Sequence, residues 1–72
     1  MSMTKEQIDE RIRNIDRAVS ITERRQDLWM HVHGEMNQRY YNEVQNLMDQ
    51  RDEMVQMREA LNEQYKMLNR FM

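Results

Sequence analysis

The sequence predicts an all-α protein, an antiparallel helical hairpin (about 5–33 and 36–71) assembling into a homo-oligomeric helical bundle. Three observations predict it. Proline is absent from the 72 residues and the single glycine, Gly34, stands near the midpoint, so the strongest chain breakers mark one place only. Each half carries apolar residues at alternating three- and four-residue spacing, the seam of an amphipathic helix. Residues 11–25 are mainly basic and residues 43–57 mainly acidic, so a chain folded back at Gly34 sets opposite charges side by side. One long continuous coiled-coil helix is the alternative, because two such helices crossing antiparallel at Gly34 produce the same match between chains.

Helix one (about 4–33) has a legible start. Thr4 is a capping residue with Gln7 three places on, as a capping box requires, and Met3 and Ile8 occupy the two positions of a hydrophobic staple. Ile8, Ile12, Ile15 and Val19 follow at 4-3-4 spacing, and Ala18, Ile21, Leu28 and Val32 lie beside them. The apolar stripe is thus wider than a strict two-position coiled-coil seam. His31 and His33 suit a last helical turn, and Gly34 suits the left-handed residue just past a helix end.

Helix two (about 36–71) repeats the logic in another phase. Val44, Leu47, Met54, Leu61, Tyr65, Leu68 and Met72 fall on 3-4 spacing, with Met48 and Val55 broadening the face. Arg51 and Arg58 interrupt this row, where long side chains snorkel along the edge. Met36, Tyr40 and Val44 run 4-4, a stutter in an unbroken helix and a change of helix in a hairpin. The expected packed core is Ile8, Ile12, Ile15, Val19, Val44, Leu47, Met54, Leu61 and Leu68.

Composition bounds the function. A chain this short forms a single domain over 1–72 with little core of its own, and chains of this size are usually reinforced by disulfides, metal or association. Cysteine is absent, which removes disulfides, thiolate metal sites and thiol nucleophiles and leaves homo-oligomerisation, as an antiparallel dimer or higher. The opening segment lacks a signal-peptide pattern and no apolar run approaches spanning length, so the expectation is a soluble cytoplasmic protein without membrane contact. A net charge of −2 supplies no field for nucleic acid, and acidic residues interleave the arginines of helix one.

The centre of the chain gathers the chemistry. Trp29, His33, Met36, Tyr40 and Tyr41 cluster there, and aromatic groups beside adaptable methionines suit a partner-binding or subunit interface. Arg24, Arg25 and Arg39 with Trp29 and Tyr40 form an alternative set, since guanidinium groups and aromatic faces hold small anionic ligands such as nucleotides. His31 and His33 point to different sides of a helix, while His31 and Glu35 share a face at i,i+4, too few ligands for a metal site. No arrangement for nucleophilic or acid–base catalysis and no Gly-rich phosphate loop is present. The size, methionine content and helical pattern resemble the short accessory proteins that many bacteriophages encode, a likeness of style without a motif.

The reading is therefore a non-catalytic protein, without cofactor or metal, that self-associates and binds another macromolecule as an adaptor, inhibitor or assembly factor. The alternative is an oligomeric bundle that sequesters a small anionic ligand at the subunit interface.

Overall fold

A computed structural model describes residues 3–70, Asn69 by its backbone alone. Two helices, α1 (Lys5–His33) and α2 (Gln38–Arg70), pack against each other as an antiparallel hairpin 61 Å long, 20 Å wide and 15 Å thick. The chain turns back at Gly34, so the hairpin and not the continuous helix is the fold.

The local devices are those the sequence spells out. Thr4 Oγ1 accepts the Gln7 N–H at 3.2 Å and Gln7 Oε1 accepts the Thr4 N–H at 2.9 Å, a complete capping box. Met3 and Ile8 line one cleft, with Leu61 and Met57 of α2 across from them. At the other end Gly34 takes the left-handed conformation (φ 72°, ψ 7°) and its N–H donates to the Met30 carbonyl at 2.8 Å. The 4-4 step from Met36 to Val44 straddles the turn, as a change of helix demands.

Helix two starts at Gln38, two residues later than the expected 36, because Asn37 caps it. Asn37 Oδ1 accepts the Arg39 N–H at 2.9 Å and the Tyr40 N–H at 3.4 Å, satisfying donors that have no partner in the first helical turn. Position 71, the expected end, and Met72 lie outside the described residues.

The buried seam is narrow. Ile8, Ile12, Ile15 and Thr22 are buried, and Val19, Val44, Leu47, Met54 and Leu61 are half-buried. Beyond Val19 the seam continues through Thr22, Gln26 and Trp29, which is where α1 turns polar. Ile21, Leu28 and Val32 stand off the seam and are exposed, so the wide stripe expected on α1 is not covered within one hairpin. Leu68 is exposed too, against the expectation of a core position, and so is Tyr65. With Asp9 paired to Arg58 and α1 beginning at Lys5, the last turns of α2 run past the start of α1.

Charge pairing also departs from expectation. Asp16 accepts from Arg51 at 2.8 Å and Asp9 accepts from Arg58 at 3.3 Å. These pairs place acid on α1 and base on α2, the reverse of the net charge of each stretch. The reason is helical phase. Arg51 and Arg58 sit on the α2 seam and reach its edge, where Asp16 and Asp9 flank the α1 seam at the same seven-residue step. Most arginines of residues 11–25 lie further round α1.

Candidate partner-binding site

The turn end holds the aromatic residues, and polar bonds fix it. The Gln26 side chain donates through Nε2 to the Asn37 carbonyl at 3.2 Å, and its Oε1 accepts the Asn37 N–H at 3.0 Å. One amide thus grips one backbone unit on both of its polar groups, eleven residues on. The same carbonyl accepts the Tyr41 N–H at 3.1 Å. Gln26 escapes a search for apolar periodicity because it occupies a seam position with a polar side chain. Asn37 is readable in principle as a helix cap.

Held by this clasp, Trp29 is half-buried between two rings. His33, one turn along α1, stacks on it at 3.9 Å between centroids with a 32° tilt. Tyr40 of α2 meets it edge-on at 6.3 Å and 89°, an arrangement that the charge distribution of aromatic faces and edges favours. Trp29, His33 and Tyr40 line a cleft with Arg25, Leu28 and Val32.

The sequence-predicted set divides between two sides of the hairpin. Met36 and Tyr41 line the opposite cleft, with Glu23, Gln26, Asp27 and Val44, while Tyr40 reaches both clefts. The alternative ligand set converges only in part. Arg25 joins Trp29 and Tyr40, whereas Arg24 lines a separate depression with Asp16, Arg17, Ser20 and Ile21. Arg39 is exposed on the first turn of α2. The cleft of about 260 Å³ beside Trp29 is smaller than the roughly 300–1,000 Å³ of ordinary small-molecule sites.

Glu35 lies past the end of α1, so His31 and Glu35 do not share a helical face as the sequence suggested. Among the described residues no three His, Cys, Asp or Glu side chains gather as metal ligands, and no helix is long and apolar enough to cross a membrane.

The surface around the Trp29 cleft is apolar and open. Val32 is 73 % exposed and Leu28 66 %, more than the other large apolar residues described. Ile21, also exposed, lies two turns towards the start of α1 on the same side of the helix, with Arg25 between it and Leu28. Comparison with protein-family models, curated proteins and solved structures finds no match.

Proposed function

We propose that this protein is a non-catalytic, cytoplasmic helical protein that self-associates and binds another macromolecule, with the turn end as its docking surface. The observation that carries the reading is the departure of apolar residues from the seam. Beyond Val19 the seam positions go to Thr22 and Gln26, while Ile21, Leu28 and Val32 turn outward. Leu28 and Val32, one turn apart beside the Trp29 cleft, leave apolar surface in water, which is costly unless something covers it, and such surface marks interaction sites.

Rigidity adds to the argument. Trp29 is braced by His33 and Tyr40, and the turn beneath is clasped by Gln26. A preorganised aromatic anchor loses little freedom on binding. The cleft of about 260 Å³ suits one or two side chains of a macromolecule.

The test uses the exposed residues, whose removal spares the fold. Wild type and a Leu28→Ser, Val32→Ser variant are immobilised and challenged with lysate of the native host. The expected result is a macromolecule retained by wild type and lost by the variant, with equal helicity by circular dichroism. Equal retention by both would refute the turn end as the docking surface. Trp29→Ala with Tyr40→Ala is the companion experiment: loss of the fold there would assign the rings to structure.

A further inference from the structure

The outer side of α1 carries a second seam. Ala18, Ile21, Arg25, Leu28 and Val32 follow at 3-4-3-4 spacing, the rhythm of the seam that packs on α2. Ala18 is half-buried and the other four are exposed. The row runs about 21 Å, four helical turns. Its last part, Arg25, Leu28 and Val32, borders the Trp29 cleft.

The charges beside this row are of one sign. The helical neighbours of Ile21, three and four residues to either side, are Arg17, Ala18, Arg24 and Arg25. Those of Leu28 are Arg24, Arg25, His31 and Val32. Neither set holds a carboxylate. The acids of the same span are turned elsewhere: Asp16 bonds Arg51 at 2.8 Å, and Glu23 and Asp27 line the cleft on the opposite side of the hairpin. Among the described residues the ion pairs are Asp16–Arg51 and Asp9–Arg58. Arg17, Arg24 and Arg25 therefore hold unpaired charge around exposed aliphatic side chains. Acid and base alternate along the sequence of α1, and helical phase sorts them onto different sides.

We infer that this row docks an amphipathic helix of a partner protein whose apolar stripe is flanked by glutamate or aspartate. The inference rests on the proposed docking surface, extends it along α1 and names the chemistry of its occupant. Ile21, Leu28 and Val32 offer the ridge on which the apolar anchors of such a helix sit. Arg17 and Arg24 at the edge meet its flanking carboxylates, and Arg25, within the row, can take one in a two-pronged pair. Other polyanions match less of the surface. A nucleic-acid backbone supplies phosphates for the arginines but no apolar face for three aliphatic side chains. A membrane is broader than one helix and would also meet exposed carboxylates of α2 such as Glu43, one turn from Tyr40.

A displayed peptide library reads the charge preference directly. Three-heptad helices with leucine at both core positions of each heptad, and Glu, Lys, Gln or Ala elsewhere, are selected on wild type. Glutamate should dominate the positions flanking the leucines. Selection on the Arg17→Glu, Arg24→Glu variant should favour lysine instead. The best glutamate-flanked peptide should bind that variant at least tenfold more weakly. Added salt should weaken its binding to wild type and strengthen its binding to the variant. Selection without a glutamate preference, or a preference that charge reversal leaves unchanged, would overturn the acidic partner. Peptides lost on the Leu28→Ser, Val32→Ser variant but showing no charge preference would refute the acidic class and leave the docking surface standing. Peptides indifferent to both variants refute both. Tighter binding of wild type to a DNA duplex or to phosphatidylserine vesicles than to the selected peptide would give the arginines to phosphate. Self-association lost in the charge-reversed variant would give the row to a second copy. Either result overturns the inference.

Discussion

Replacing Gly34 by L-alanine tests the hairpin at its hinge. A Cβ built there meets nothing within 4 Å, so the whole cost is conformational. Holding an L-residue at φ 72° costs about 1–2 kcal/mol. In a straightened chain the same substitution is favourable, since Ala is better than Gly inside a helix by about 1 kcal/mol. The balance between the hairpin and a swapped dimer of continuous helices therefore shifts by roughly 2–3 kcal/mol per chain, or about 30- to 150-fold. Two measurements read it. The melting temperature should fall by about 4–8 °C per kcal/mol, and solution scattering should show a growing population of rods near 100 Å beside the 61 Å hairpin. D-alanine, made by chemical synthesis, is the mirror control. It favours positive φ and restricts the unfolded chain, so it should stabilise the hairpin by about 0.4–1 kcal/mol. If L- and D-alanine shift the melting temperature in the same direction, the left-handed turn is not what holds this end.

Other substitutions separate the remaining contributions. Asn37→Ala removes the cap of α2 and should cost about 1 kcal/mol by denaturant titration. Gln26→Leu breaks both bonds to the Asn37 backbone unit; it should lower stability by about 1–2 kcal/mol and quicken amide exchange at residue 37. Ile12→Ala, at a buried position, should cost about 2–5 kcal/mol, whereas Leu28→Ser with Val32→Ser should change stability by less than about 0.5 kcal/mol per site. A double-mutant cycle on Asp16 and Arg51 should give a coupling of about 0.2–1 kcal/mol that shrinks as salt is added.

How far the sequence discloses the molecule depends on the kind of signal. The start of α1 is legible because Thr4, Gln7, Met3 and Ile8 act within two turns of each other, and local devices write themselves into local sequence. Gly34 is legible for the same reason. The hairpin itself needs a tertiary argument, and net charge gives the right topology through the wrong pairs. Asp9 and Asp16 meet Arg58 and Arg51 because helical phase, not summed charge, decides which side chains touch. Ile21, Leu28 and Val32 mislead in another way. Being apolar, they read as core, yet one residue of phase separates them from the seam that Thr22 and Gln26 occupy. Leu68 keeps the right phase and is still exposed, since α1 does not extend far enough to cover it. At the turn end the aromatic cluster stands out in the sequence. Its division between two faces does not, because that division follows from where α2 begins, and Asn37 sets that start.

The two halves of the hairpin are built on different chemistry, and this bears on what each can do. From Ile8 to Val19 an aliphatic seam and two ion pairs hold the helices in register, and apolar burial supplies the cohesion there. From Thr22 to Asn37 the seam is polar, and the helices are joined by the Gln26 clasp, the Asn37 cap and the Trp29–Tyr40 contact. Directional bonds of this kind contribute modest net stability but define geometry sharply. A recognition surface needs side chains held in place, while its apolar residues must stay available to the partner. Spending aliphatic residues on the outer ridge and polar ones on the inner seam meets both needs at the turn end. Replacing Gln26 by leucine should therefore, beside its cost in stability, loosen the Asn37 turn and weaken partner binding. Unchanged binding by the loosened variant would separate the clasp from recognition and refute this division of roles.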